Sequence, residues 1–576
     1  MTESSTTNRP VSIAVVGSGG AGTMTTGNLL FDAAAKVGWY GSLTRTAGPQ
    51  IRGGEAAAMV RLTTQPNSSP DDYFDVLLAI DWQNVERFAL EIPLSENSVI
   101  ISDIDGAEVP ELIASSGARV IKLPITSSAK KVKKGRPNMV ALGILAQMID
   151  LPEAPLIALL ERKLADKGEQ AVQSSLETVT EGRAIAAELP VLASIDTPAP
   201  ATGDRWVISG NEAAGLGAVR GGVRFVAAYP ITPGTEVLEW LAPALPQVGG
   251  TLVQAEDELS SINMIIGGSF GGVPALTATS GPGLALMTES LGLAIAAEVP
   301  VVVVDVMRGG PSTGIPTKPE QSDLNIAVYG LHGDAPHLVL APLSVDDCIF
   351  TLQWSVYLAE AMQTAAIVLS DQFMGQARAV IDKPADFPYV AARKVVAEPD
   401  ENYARYTVTE DGVSPMSIPG TKDGQYTADG LEHSPTGAPS TSAEHHDEQM
   451  DKRLRKLTQF DYGEHWAEID GEAELAVITW GSTAGAALEA ISRLREQGTA
   501  VKLIAVRLIT PIQPEKMAEA LKGVKRALVV EQNHSAQLFG FLKANYMLPD
   551  RVAAFHRPGP LVIRPGEIVN QINAWS

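Results

Sequence analysis

Val253-Gln-Ala-Glu-Asp-Glu-Leu-Ser-Ser-Ile-Asn-Met-Ile-Ile-Gly-Gly-Ser-Phe-Gly-Gly272 is the stretch on which the fold turns. Glu256, Asp257 and Glu258 end a short strand and open an apolar helix punctuated by glycine. Carboxylates in a helix's first turn are favoured by its dipole, so capping alone accounts for all three. The residues that follow point further. Ile265, Ile266, Gly267, Gly268, Gly271 and Gly272 are expected to pack closely and exclude water around whatever Glu258 touches. A carboxylate in such a place can share a proton with a buried nitrogen base. Cap and proton donor both stand as roles for Glu258 at this point.

Working outward, Phe225-Val-Ala-Ala-Tyr229 reads as a strand, and Pro230 and Pro233 force an extended turn at its carboxyl end. Ligands of open parallel sheets sit outside such ends. Thr232, flanked by the two prolines, has its hydroxyl oriented at little entropic cost. Val299-Pro-Val-Val-Val-Val-Asp305 reads as a central strand, and Arg308 leaves its end in the same way. Gly309, Gly310 and Gly314 let backbone approach there, which suits a bidentate grip on a planar carboxylate. An ion pair inside the loop, with Asp305 or Glu320, is the competing role for Arg308.

Glu258 entering a helix, with Gly267 nine residues on, resembles the pyrimidine-binding domain of thiamine-diphosphate enzymes. In those enzymes this Glu gives a proton to the aminopyrimidine ring and so generates the C2 carbanion. Three further segments narrow the likeness: Tyr229-Pro-Ile-Thr-Pro-Gly-Thr-Glu236, Thr277-Ala-Thr-Ser-Gly-Pro-Gly283 and Val306-Met-Arg-Gly-Gly-Pro-Ser-Thr-Gly-Ile-Pro-Thr-Lys-Pro-Glu-Gln-Ser-Asp-Leu324. In this order they resemble the alpha chain of a 2-oxoacid:ferredoxin oxidoreductase, of the bacterial 2-oxoglutarate type with the gamma domain fused at its N-terminus. The resemblance covers nearly the whole chain.

The resemblance implies Glu258 as the catalytic residue and Tyr229, Pro230, Ile231 and Glu258 as the thiamine diphosphate contacts. It implies Thr232, Arg308 and Thr317 as the substrate grip. No Gly-Asp-Gly…Asn-type motif for a magnesium–diphosphate end is recognisable, so Mg2+, the diphosphate site and a [4Fe-4S] cluster are expected on a beta subunit. An (alpha-beta)2 heterotetramer with ferredoxin and coenzyme A as partners follows. The implied reaction converts 2-oxoglutarate, coenzyme A and oxidised ferredoxin reversibly to succinyl-coenzyme A, CO2 and reduced ferredoxin. Pyruvate or branched-chain 2-oxoacids stay open as substrates, because side-chain selection can lie on the partner. A nucleotide-binding scaffold built on the first glycine loop is the rival of another kind.

Bulk properties agree. A chain of 576 residues holds several domains, each with its own core. A formal net charge of −23 and a pI near 4.8 disfavour nucleic acid or an anionic membrane as partner. Residues 1–10 lack the apolar core of a signal peptide, and Glu298, Pro300 and Asp305 interrupt the longest apolar runs, so a cytoplasmic location is expected. Cys348 is the only cysteine; it can form neither a disulfide nor a cluster site alone, and reads as a buried structural thiol. Electrons bound for a ferredoxin must therefore pass through another polypeptide.

The fold class expected is α/β, with three doubly wound parallel-sheet domains. Their bounds are 1–190 for a Rossmann-like gamma domain, 208–397 for the pyrimidine-binding domain and 471–576 for a domain resembling the transketolase C-terminal one. A Pro- and Ala-rich linker, 191–207, and a polar connecting segment, 398–470, join them. Val11-Ser-Ile-Ala-Val-Val16, Gly17-Ser-Gly-Gly-Ala-Gly22 and a helix through Ala35 fit the dinucleotide-binding fingerprint. The acid that would hold a ribose is missing from Gly38-Trp-Tyr-Gly-Ser-Leu-Thr-Arg45, so no nicotinamide site is expected. Gly19, Gly20 and Gly22 can bind an anion at the helix N-terminus, or serve only close packing. Gln50-Ile-Arg-Gly-Gly54 resembles the family's arginine-glycine-glycine signature, which places Arg52 near the coenzyme A path or a subunit interface. His445 and His446 are set aside as metal ligands. Met450-Asp-Lys-Arg-Leu-Arg-Lys456 is expected to pack against a neighbour, and the last domain to serve subunit packing or thiol access.

Overall fold

The computed structural model describes residues 10–48, 54–193 and 203–575. Three sheets form within them, and most of their strand pairings are parallel. Val301–Met307 shows why: it reads VVVVDVM with every residue buried. A β-branched run without alternation belongs to a parallel strand covered on both faces. The chain divides into two compact units, one of Met1–Ser209, Gln376–Pro384 and Arg564–Gly566, the other of Gly210–Gly375, Ala385–Ile563 and Glu567–Ser576.

The first unit holds an eight-stranded sheet in the order Arg119–Leu123, Val99–Asp103, Val76–Ala79, Val11–Ser18, Glu55–Thr63, Tyr40–Ala47, Arg378–Asp382, Arg205–Ser209. The first four strands are parallel. Glu55–Thr63 inserts antiparallel between Val11–Ser18 and Tyr40–Ala47. The strand after the glycine-loop helix is thus one place removed from the first, and the topology that puts a ribose-binding acid beside the loop is not built. The parallel neighbour is Val76–Ala79, and Asp81 beyond it accepts from the Ser18 N–H at 3.0 Å and its hydroxyl at 2.8 Å. At Gly22 a Cβ would come within 2.6 Å of Asn138 Cγ, so the glycine lets the Pro137–Met148 helix start against the loop. That helix is buried almost all round and crosses Glu169–Ile185 at Gly143 and Gly182. Of the Pro- and Ala-rich stretch, residues 194–202 lie outside the described residues, as does Arg52.

The second unit holds two sheets. The seven-stranded one runs Leu508–Thr510, Leu338–Leu340, Ala365–Asp371, Val301–Met307, Ala275–Thr279, Phe225–Ala228, Thr251–Gln254, and only its first pairing is antiparallel. The five-stranded one runs Ala467–Asp470, Lys502–Val506, Leu475–Trp480, Arg526–Glu531, Arg551–His556, again with one antiparallel edge. Cys348 is fully buried with its sulfur 3.5 Å from that of Met374, and burial pushes its thiol pKa up.

The polar segment after residue 398 is ordered by charge. Its Ala443–Thr458 helix carries Lys452 and Lys456 on one face, and both reach the carboxylate of Glu298, at 2.7 and 3.0 Å. Arg405 donates to the Glu298 carbonyl at 2.9 Å and to Gln363 Oε1 at 2.8 Å. All four charged side chains are buried. Burial alone would raise the Glu298 carboxyl, but Lys456, Lys452 and Arg405 hold it well below the usual range. Burial pulls Lys452 down to about 8 against the pull of Glu298. Glu298 sits at φ +52, in the left-handed region that side chains rarely adopt. Breaking a buried pair by removing one partner costs about 3–5 kcal/mol. Glu298→Gln should therefore release this segment first: hydrogen exchange should quicken across 443–458 while 301–307 keeps its protection. Equal protection in both proteins would show that apolar packing, not this cluster, holds the helix.

Candidate active site

Four adjacent strands of the seven-stranded sheet, Val301–Met307, Ala275–Thr279, Phe225–Ala228 and Thr251–Gln254, run parallel and end on the same edge. The four quoted motifs are the loops that leave those ends, where ligands of open α/β sheets bind. Tyr229, Pro230, Ile231, Thr232, Glu258, Arg308 and Thr317 thus share one edge. Tyr229, Pro230 and Thr232 are exposed, and the peptide between Thr232 and Pro233 is cis.

The three acids of the opening stretch divide their tasks. Glu256 is exposed. Asp257 is the N-cap: its carboxylate accepts the Ser260 N–H at 2.6 Å, and that bond holds its pKa below the usual range. Glu258, the first helical residue, is 7% exposed, and no described residue hydrogen-bonds to its carboxylate. The N-cap hydrogen bond is thus made by Asp257, and Glu258 keeps only the first-turn contribution to the helix dipole.

Space is kept open beside Glu258 by Gly283, in the first turn of the Gly281–Ala296 helix. A Cβ there would stand 2.8 Å from Glu258 Cγ and 3.0 Å from its Oε1, and would also strike the Thr279 hydroxyl. The hydroxyls of Thr277 and Ser280, on the strand and turn leading to this helix, are buried without a partner. A buried acid without a donor, a glycine cradle and unpaired hydroxyls suit a ligand bearing a basic ring nitrogen, and so fit the pyrimidine end of thiamine diphosphate.

Arg308 is 6% exposed. It donates to the Thr232 carbonyl at 2.5 Å and the Thr313 carbonyl at 2.8 Å, tying together two site loops. Its Nε–H is buried without a partner, and burial lowers its pKa. The ion pair with Asp305 or Glu320 considered from sequence does not form; the guanidinium binds backbone oxygens instead. The loop it opens is fixed at its far end by Gln321, which the sequence did not single out. Gln321 is fully buried, donates to the Trp480 carbonyl at 2.9 Å, and exchanges backbone and side-chain bonds with Gln532, both at 2.7 Å. Gly481 makes room, since a Cβ there would come within 2.5 Å of Gln321 Nε2. The last domain thus positions the loop that Arg308 opens, a task beyond the packing role expected of it.

Gly19, Gly20 and Gly22 belong to the other compact unit. Among the described residues no group of three or more His, Cys, Asp or Glu could hold a metal ion, and no helix is long and apolar enough to cross a membrane. His445 and His446 bond locally, to Ser440 and Glu432, each at 2.8 Å.

Residues 216–452 match the family described as pyruvate flavodoxin/ferredoxin oxidoreductase, thiamine diphosphate-binding. Residues 12–185 match pyruvate ferredoxin/flavodoxin oxidoreductase, and 473–557 match pyruvate:ferredoxin oxidoreductase core domain II. The chain is 35% identical over 377 residues to 2-oxoglutarate synthase subunit KorA of Methanothermobacter marburgensis, covering 64% of this chain and 98% of that one. It is 31% identical over 471 residues to the 2-oxoacid:ferredoxin oxidoreductase subunit alpha of Saccharolobus solfataricus, covering 78% and 72%. A solved structure of 2-oxoglutarate:ferredoxin oxidoreductase from Magnetococcus marinus, with 2-oxoglutarate, coenzyme A and succinyl-CoA bound, aligns over 99% of this chain and 100% of that one, with TM-score 0.92 and 37% identity.

The division of labour at the helix start is testable with two substitutions. Asp257→Ala removes the cap, which should cost about 1 kcal/mol of stability and leave cofactor affinity unchanged. Gly283→Ala drives a methyl group into Glu258 and Thr279, and should weaken thiamine diphosphate binding to the assembled enzyme at least about tenfold, or 1.4 kcal/mol. Calorimetric titration with the cofactor separates them; equal affinities would remove the cradle from the site.

Proposed function

We propose that this chain, which belongs to the 2-oxoacid:ferredoxin oxidoreductase family, is the alpha subunit of an enzyme that oxidatively decarboxylates 2-oxoglutarate with coenzyme A to succinyl-coenzyme A, CO2 and reduced ferredoxin. The observation that carries the reading is Glu258, buried without a donor at the start of a helix on the ligand edge of the sheet. The substrate assignment is supported by the 2-oxoglutarate synthase relatives and by the 2-oxoglutarate, coenzyme A and succinyl-CoA bound to the structural neighbour.

Thiamine diphosphate, when bound, supplies the electron sink that decarboxylation of a 2-oxoacid requires. The chain's own residues do the rest. Glu258 holds a proton at a carboxylate oxygen facing the ring nitrogen. Gly283 keeps that approach clear. Tyr229, Pro230 and Ile231 line the approach from the neighbouring strand end. Thr232 and Thr317 offer hydroxyls, and Arg308 offers N–H groups at a position fixed by two backbone carbonyls. The grip is on the carboxylate, which pyruvate and 2-oxoglutarate share.

A beta subunit completes the site in this reading. It brings the diphosphate site, Mg2+ and a [4Fe-4S] cluster, because Cys348 is the chain's one cysteine and a cluster needs several thiolates. An (alpha-beta)2 heterotetramer in the cytoplasm, served by ferredoxin, is the assembly proposed. Gly19, Gly20, Gly22 and Arg52 are proposed as the region that meets coenzyme A, supported by the exposed glycine loop at a helix N-terminus.

Co-expression with a cysteine-rich beta chain should yield a brown complex that reduces ferredoxin in the presence of coenzyme A, faster with 2-oxoglutarate than with pyruvate. A preference for pyruvate would overturn the substrate, and no thiamine diphosphate in the complex would overturn the class. In that complex Arg308→Lys keeps the charge and loses the fork, so KM for 2-oxoglutarate should rise at least about tenfold, or 1.4 kcal/mol. Unchanged kinetics would reduce Arg308 to a loop clamp.

A further inference from the structure

One charged residue interrupts the apolar centre of the seven-stranded sheet. Asp305 is 0% exposed and lies in register with Thr279 on one side and Leu369 on the other. Neither oxygen of its carboxyl meets a donor among the described residues. The group within hydrogen-bonding reach is a second acid, Asp323. Asp323 is partly exposed as a residue, yet its Oδ2 is shut off from solvent without a donor, while its Oδ1 accepts the Ser322 hydroxyl at 3.2 Å. Gly281 makes room for it: a Cβ there would stand 2.5 Å from Oδ2 and 2.8 Å from Oδ1.

Two carboxylates facing each other out of water repel, and one proton between them turns the contact into a hydrogen bond. Burial first, then the neighbouring acid, raises Asp305 well above its ordinary range; burial pushes Asp323 up to about 6. The charged groups that face the pair are Arg308, from the end of the same strand, and Glu320, from the loop that leads to Asp323. Arg308 forms no ion pair with either aspartate. Its fork is held by the Thr232 and Thr313 carbonyls, and its buried Nε–H has no partner. A doubly ionised pair would set two negative charges beside that guanidinium and compete with any incoming anion. A pair that keeps one proton sets only one.

We propose that Asp305 and Asp323 share one proton and act as positioning residues for Arg308, limiting the negative charge beside its guanidinium so that it stays attractive to the carboxylate of the substrate. The inference rests on the 2-oxoacid reading above. Its sign is fixed: loss of the shared proton as pH rises adds negative charge beside the guanidinium, so KM for an anionic substrate rises with pH and kcat does not follow it.

The test uses the assembled complex in three forms: wild type, Asp323→Asn and Asp305→Asn. In either variant an amide N–H can donate to the remaining carboxylate, so the contact survives without a shared proton. KM of the wild type for 2-oxoglutarate should rise about tenfold between roughly pH 6 and 9, the scale of one added charge at a partly buried site, and both variants should stay flat. Infrared difference spectra, wild type minus variant near neutral pH, should show the C=O stretch of a protonated carboxyl that shifts in D2O. This readout needs no turnover, and a wild-type pH series gives it even where one variant fails to fold. Absence of the protonated-carboxyl band, or a KM rise of equal size in the variants, overturns the proposal while leaving 2-oxoacid turnover intact. A complex that turns over no 2-oxoacid overturns the functional reading and the role of the pair with it.

Discussion

Glu258 is 7% exposed as a residue, and its carboxylate meets no hydrogen-bond donor among the described residues. The site is organised around that vacancy of donors. Asp257 caps the helix, so Glu258 is released from capping. Gly283 keeps the next helix's first turn from filling the space. Four adjacent parallel strands deliver their loops to the same edge, which gathers Tyr229, Thr232, Glu258 and Arg308. In the proposed reading, a basic nitrogen meets Glu258 and a carboxylate meets Arg308.

Two anchors hold these groups still, and both are polar. Gln321 ties the loop after Arg308 to Trp480 and Gln532 in the last domain. The cluster of Glu298, Lys452, Lys456 and Arg405 fastens the connecting segment. Arg393, just before that segment, supports the Glu258–Phe270 helix at its far end, donating to the Ser269 carbonyl at 2.5 Å while pairing with Glu360 at 2.8 Å. A cation at the last turn of the Glu258–Phe270 helix is favoured by the helix dipole. The helix is thus fixed by an acid at its start and a base at its end.

The parts legible in the sequence were those with local signatures. Unbroken β-branched runs marked buried parallel strands, and proline or glycine after each run marked the loops that carry the site. The antiparallel insertion of Glu55–Thr63 was not legible, because pairing between distant strands leaves no mark on either one. Lys452 and Lys456 lie in the stretch 450–456, which is expected from the sequence to pack against a neighbour, but with four basic residues within five nothing local names the acid they meet. Their spacing of four did place them on one side, and only the buried Glu298 shows that this side faces inward. Asp323 and Gln321 stood in a motif already singled out, but their roles depend on contacts made by folding, Asp323 with Asp305 on the strand before the motif and Gln321 with Gln532, distant in sequence.

The central claim is that Glu258 moves a proton rather than capping a helix. It is tested most directly by the rate at which the C2 proton of bound thiamine diphosphate exchanges with solvent in the assembled complex, measured by NMR with wild type and Glu258→Gln side by side. Gln keeps the shape and cannot transfer the proton. The account predicts a variant that folds, retains its cofactor and exchanges slower by about 10² or more, the usual scale for losing a positioned acid or base. Exchange at the wild-type rate would contradict it.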